Sequence, residues 1–245
     1  MSRAVIETLI QRQLHQYNRY KSALQKAQPE QPKPERGPVV TISRMAGCNA
    51  RDIAAALGER LGVQVWGREL VDQIASDAGL RRDVVALLDE NLVSSVDAWV
   101  RGMLGRKLFM RDDYALTLAR TIRTLAETGG AILVGRGAGF ILGDQADLRI
   151  RLVASDRHRI ENLQAWRELD PDAARESMHR TDAARAAFVR SYFQSEVDDP
   201  RNYDLVINSE RHTLEAIVDA CLRLLEARRR PLAGGSPDAP GTGPR

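Results

Sequence analysis

The chain contains no uninterrupted apolar run approaching the roughly 20 residues needed to cross a bilayer, and no signal-type hydrophobic segment at its start. Neither secretion nor membrane spanning is therefore expected. Cysteine is scarce. Cys48 and Cys221 stand far apart, which excludes a disulfide framework and a cysteine-held metal cluster and points to a reducing cytoplasm. Charge of one sign is not in excess: 36 Lys and Arg against 33 Asp and Glu leave +3. Basic residues gather at Arg228-Arg229-Arg230 and along 149–190, but so mild a balance does not make nucleic acid an expected partner. There is no internal repeat, and His15, His158, His179 and His212 have no spacing that fits a metal site or a catalytic base.

What is present is a globular composition, 43% hydrophobic and 28% charged, in 245 residues, enough for one sizeable core. Apolar periodicity predicts a helix over 2–27, with Val5, Leu9, Leu14, Tyr17, Tyr20 and Leu24 on its apolar face. Four prolines between Gln28 and Pro38 exclude helix and central strand, so residues 1–28 read as an amphipathic appendage on a linker over 29–38. Such a helix is expected to be dispensable for folding and to engage a second copy or a protein partner. Residues 39–230 then alternate. Strands are predicted at 39–43, 63–66, 131–134, 148–153 and 203–207. Helices are predicted at 50–61, 68–78, 112–127, 156–168, 171–194 and 211–229, with a short one after 137 and an irregular helical stretch at 81–110 containing Trp99, Leu104 and Leu108. Strands separated by helices imply an α/β fold, a three-layer parallel sheet with helices on both faces. The Gly/Pro-rich tail over 231–245 reads as disordered.

The densest local signal is Val39-Val40-Thr41-Ile42-Ser43-Arg44 followed by Met45-Ala46-Gly47-Cys48-Asn49-Ala50-Arg51-Asp52. A buried strand that breaks at glycine and restarts as a helix has the outline of a phosphate-binding loop. In such a loop, backbone N–H groups and a helix N-terminus surround an anion. The lysine and hydroxyl residue that usually complete it are missing, since Ala50 and Arg51 occupy those positions. Asn49 is the expected helix N-cap, with Asp52 as its capping-box acid. The phosphate-binding reading assigns residues 47–52 to a nucleotide phosphate, with Arg51 supplying the missing charge. The structural alternative is a plain strand-to-helix turn with Arg51 on the surface.

Further pieces turn this outline into a resemblance. They are Ile132-Leu133-Val134-Gly135-Arg136-Gly137-Ala138, Asp147-Leu148-Arg149-Ile150 leading to Ala154-Ser155, and Asp199-Pro200-Arg201-Asn202-Tyr203-Asp204-Leu205-Val206-Ile207-Asn208. With the loop, in this order from about Val39 to Leu225, they make the chain similar to the cytidylate kinase-like family, relatives of the nucleoside monophosphate kinases. The resemblance implies a P-loop kinase-like fold with a helical lid, and ATP with Mg²⁺ as cofactors. It also implies transfer of a phosphoryl group to CMP or a related small acceptor. It makes Arg51, Arg159 and Arg185 the expected catalytic cations and Arg68, Arg136 and Asp182 the expected acceptor-side residues. It names no metal ligand. Arg157 lies off the family pattern. Asp182 and Arg185 share a helix face by their spacing, which a structural ion pair would show equally. The competing reading is a non-catalytic nucleotide-binding or regulatory protein that engages a partner through its first helix.

Overall fold

A computed structural model describes residues 2–26, 36–77 and 113–229. The predicted stretch 81–110, most of the proline linker and the tail lie outside the described residues. Five strands, β1 (Val39–Arg44), β2 (Gln64–Trp66), β3 (Ala131–Val134), β4 (Leu148–Val153) and β5 (Leu205–Asn208), form one parallel sheet in the order β2-β3-β1-β4-β5. The described helices are numbered in chain order. They are α1 (Arg3–Lys26), α2 (Ala50–Leu61), α3 (Arg68–Ser76), α4 (Asp113–Glu127), α5 (Ala138–Leu142), α6 (Asp156–Arg167), α7 (Pro171–Phe193) and α8 (Leu214–Arg229).

A parallel sheet buries both faces, so its strands carry apolar side chains in both directions. Val40, Ile42, Ile132, Leu148, Ile150 and Leu152 enter one cluster with Ile53 and Leu57 of α2 and Ile217 and Cys221 of α8. Val39, Ala131 and Leu133 enter the other, with Ile74 of α3, Ile122 of α4, Ile141 of α5 and Phe193 of α7. The α/β architecture expected from alternation is the one observed. Local chemistry starts several of the helices. Ser155 accepts from the N–H of His158, and Asp170 accepts from Asp172 and Ala173 with Pro171 in the first turn.

The first helix does not behave as an appendage. Ile6, Ile10, Gln13 and Tyr17, one stripe at helical spacing, are buried, the two isoleucines completely and within the same cluster as Val39 and Trp66. Gln13 Nε2 donates to the carbonyl of Gly129 at 2.7 Å, tying α1 to the turn before β3. Val5 and Leu24, expected on the apolar face, are exposed. The expectation failed because the linker prolines exclude helix only in the linker itself; they leave α1 free to fold back.

Among the described residues no helix is long and apolar enough to cross a membrane.

Candidate active site

After β1 the chain moves to β2 on one side, whereas β4 leads to β5 on the other. The reversal sits between β1 and β4, where open parallel sheets bind ligands beyond their carboxyl ends. A cavity of about 380 Å³ lies there. Thr41, Ser43 and Arg44 of β1, the Gly135-Arg136-Gly137 turn after β3, Arg151 of β4, Arg68 of α3 and the α7 face of Arg180 and Arg185 form its polar wall. Phe140, Phe188, Val189, Val197 and Tyr203 form its apolar wall. Among the described residues six arginines line it. Phe140 stacks on Phe193 with ring centroids 5.1 Å apart and meets Tyr203 edge-on at 6.3 Å, so the apolar wall is a packed aromatic group. One end of the cavity is built for an anion and the other for a flat or apolar body.

Arg136 sits in a run of three left-handed residues, with φ of 84°, 53° and 66° at Gly135, Arg136 and Gly137. A side chain at Gly137 would collide with the Phe193 ring, so glycine there serves both the backbone and the aromatic wall. Arg136 Nη2 donates to Asp72 of α3. Asp72 also faces Arg68 Nε at 3.8 Å and accepts from the Tyr114 hydroxyl at 2.9 Å. Burial, and then the hydrogen bond to Asp72, push the Tyr114 phenol up to about 12. Arg136 Nε is buried with no partner among the described residues. Thus Arg68 and Arg136 come together on one carboxylate, Asp72, that the sequence reading did not name. The i, i+4 spacing of Arg68 and Asp72 was the signal available.

Arg44 is the residue whose importance the sequence concealed within a strand. Its guanidinium lies against Gly135, where any side chain would strike it. Burial, together with the charges of Arg185, Arg68, Arg136 and Arg151, lowers its pKa to about 9. Burial likewise lowers the pKa of Arg185, against the opposing charge of Asp182. Arg151, almost fully buried, donates to Ser43 Oγ at 2.8 Å and to Asp198 at 2.6 Å. Tyr203 donates to the carbonyl of Val197 at 2.7 Å, and burial raises its pKa.

The loop after β1 is fastened from α6 and α7. Arg159 is buried; its Nε donates to the Ala46 carbonyl at 2.8 Å, its Nη1 to Asp156 at 2.9 Å and its Nη2 to Asp182. Asp182 in turn accepts from the N–H of Ala46 at 2.8 Å. Arg185 Nη1 donates to the carbonyl of Arg44 at 2.9 Å. Asn162 Nδ2 donates to the Gly47 carbonyl and to Asn49 Oδ1, both at 2.8 Å. Gly47, at φ 85°, has no room for a Cβ because the Arg159 carbonyl oxygen would stand 2.5 Å away. The glycine is needed for close approach of α6 as well as for the turn.

These contacts change several expectations. Arg159 and Asp182 do not line the cavity; they clamp the loop. The capping box does not form: Asn49 takes φ 27° and makes no side-chain cap bond, because its amide oxygen is bonded to Asn162. Cys48 turns its thiol into the core, where burial raises its pKa, and Ala50 packs against the same cluster. Arg51 and Asp52 are exposed on the first turn of α2, outside the residues that line the cavity. The N–H groups of Gly47 and Cys48 have no partner among the described residues, and the α2 N-terminus is left uncapped, so the loop still presents donors. Arg157 pairs with Glu161 on an exposed helix face, away from the site. Among the described residues no three His, Cys, Asp or Glu side chains could hold a metal ion.

A parallel sheet with a donor-lined loop after its central strand, and a cationic cavity beside it, defines a P-loop kinase-like α/β protein. The chain belongs to the cytidylate kinase-like family, whose sequence pattern matches residues 39–211. Among its relatives is a cytidylate kinase of Natronomonas pharaonis, 28% identical over 175 residues, covering 71% of this chain and 81% of that protein. A second, from Methanothrix thermoacetophila, is 28% identical over 193 residues, covering 77% and 99%. Among solved structures, an uncharacterized protein from Eubacterium ventriosum aligns with a TM-score of 0.63 at 20% identity, over 78% of this chain and 99% of that one. That last likeness bears on the fold alone.

Proposed function

We propose that this protein is a nucleoside monophosphate kinase that moves the γ-phosphoryl group of ATP to CMP or a closely related small acceptor. The observation that carries the reading is the cavity itself, an arginine wall facing an aromatic wall at the carboxyl edge of a parallel sheet. The acceptor's phosphate rests on Arg136 and Arg68, and its base packs toward Phe140, Phe188 and Tyr203. ATP phosphates take the N–H groups of residues 47–52, with Arg51 approaching from the exposed first turn of α2. Arg185, bonded to the backbone where β1 meets the loop, faces the transferring group from the cavity side. Catalysis is then positioning and charge neutralisation by fixed guanidinium groups.

The residues fit a nucleotide phosphate through the unpartnered loop N–H groups. Mg²⁺ usually binds through substrate phosphates and water with one or two carboxylates, and supplies charge neutralisation when bound. The acceptor-side roles of Arg68 and Arg136, the catalytic roles of Arg51 and Arg185, and ATP and Mg²⁺ as cofactors belong to this reading. So does a reducing cytoplasmic setting. Arg159 and Asp182 enter it as the groups that hold the loop's shape. The non-catalytic alternative is not favoured, because the relatives matched along most of the domain carry a kinase name.

The test is ADP release from ATP and Mg²⁺ against a panel of nucleoside monophosphates, with Arg136→Ala beside the parent. Turnover with CMP is expected, with the variant raising the CMP KM about 10-fold to 100-fold, from the ~1.5–3 kcal/mol of a charge-assisted bond, while the ATP KM stays near the parent's. No turnover with any monophosphate refutes the reading.

A further inference from the structure

The six cavity arginines differ in how they are neutralised. Arg68 and Arg136 share Asp72, Arg151 has Asp198, Arg185 has Asp182 at 3.5 Å, and Arg180 faces Glu176 at 3.8 Å. Arg44 has neither a carboxylate nor a hydrogen-bonded side-chain partner among the described residues. It stands instead among four other guanidinium groups.

Its position follows from the sheet. β1 and β3 pair in parallel with Ile42 opposite Val134. Beyond that pair β1 runs on to Arg44 while β3 ends and the chain turns through Gly135-Arg136-Gly137, so that both arginines line the same cavity. Gly135, between them, has no side chain, and the Arg44 guanidinium occupies that space. An unpaired cation partly withdrawn from water and surrounded by like charges is unfavourable until an anion arrives. We propose that Arg44 and Arg136 form a two-guanidinium clamp for a dianionic phosphate monoester, with Arg44 as the anchoring cation, a role no sequence signal assigned. This rests on the acceptor-site reading above and extends it: the ligand class is set by a terminal dianion, so the same sugar and base without phosphate is excluded.

The experiment compares Arg44→Gln and Arg44→Lys with the parent by thermal unfolding and by calorimetric titration. The probes are CMP, cytidine, inorganic phosphate and an ATP analogue. Removing a cation that has no carboxylate partner among the described residues and lies among like charges should leave the unliganded Gln variant at least as stable as the parent. Its affinity for CMP and for inorganic phosphate should fall at least 10-fold, with ATP-analogue affinity changed by less than about 3-fold; Lys should recover part of the loss, keeping charge without the fork. Unchanged CMP affinity, equal loss of CMP and ATP analogue, or a clear drop in the unliganded melting temperature each overturns the proposal. Because inorganic phosphate is measured directly, the result stands even if the parent transfers no phosphoryl group. Absence of turnover refutes the kinase reading, and unchanged phosphate binding refutes the clamp.

Discussion

Replacing Ile10 by Ala asks whether the first helix belongs to the core. Ile10 is fully buried in the cluster that also holds Val39, Trp66 and Leu125. Truncation to Ala forfeits about 2–2.5 kcal/mol of transfer free energy at ~0.8 kcal/mol per buried carbon. The surrounding residues belong to other elements and relax only partly, so a cavity term brings the loss to about 3–4 kcal/mol. For a domain of this size that corresponds to a fall of roughly 6–15 °C in melting temperature. The internal control is Val5→Ala on the exposed side of the same helix, expected within about 0.5 kcal/mol of the parent. Thermal unfolding followed by far-UV circular dichroism reads both. A chain beginning at Gly37 should do worse than Ile10→Ala, because it also uncovers what Ile6 and Tyr17 cover and removes the Gln13 bond to Gly129. If Ile10→Ala melts with the parent, or the shortened chain unfolds at the parent's temperature, α1 is the dispensable appendage that its linker suggests and the packing argument is wrong.

Asp182→Asn weakens the charge pairing of buried Arg159, leaving Asp156 as its remaining carboxylate, and perturbs the Ala46 bond; about 1.5–3 kcal/mol of stability should be lost by denaturant unfolding, and an unaffected midpoint contradicts the loop clamp. Arg51 is exposed and has no side-chain partner among the described residues, so for Arg51→Ala stability should stay within about 0.5 kcal/mol while the ATP KM rises; an unaltered ATP KM removes Arg51 from the catalytic set. The Tyr114 phenol, held protonated up to about 12, makes the folded state bind a proton that the unfolded chain releases near pH 10. Its stabilisation is complete below about pH 10 and is lost as pH rises toward 12. Tyr114→Phe should flatten that alkaline decline in stability-versus-pH curves, and an identical decline in both proteins contradicts the Tyr114–Asp72 contact.

Much of the fold was legible because its signals are local. Ala131-Ile132-Leu133-Val134 reads as a buried strand from its own composition. The apolar-basic alternation of Leu148 to Val153 is the same alternation that sends Leu148, Ile150 and Leu152 to one core and leaves Arg149 and Arg151 on the opposite face. The site was legible only in part. Arg136 was marked by its two glycines, and Arg68 by its position after β2. Arg44 looked like the end of a strand, and Asp72 like a polar residue on an amphipathic helix. Arg159 matched a lid arginine, and the fold made it a buried fastener of the loop.

The sequence by itself determined which segments are strands and helices, that the sheet is parallel, and where the loop and the glycine-flanked arginine fall, because periodicity, capping and turn residues act over a few neighbours. Tertiary structure alone decided that α1 closes the core and that Arg159 and Asp182 grip the loop. It also decided that Arg44 and Arg136 line one cavity. Those outcomes depend on which strands pair and on which helix packs where, which are contacts between residues about a hundred positions apart.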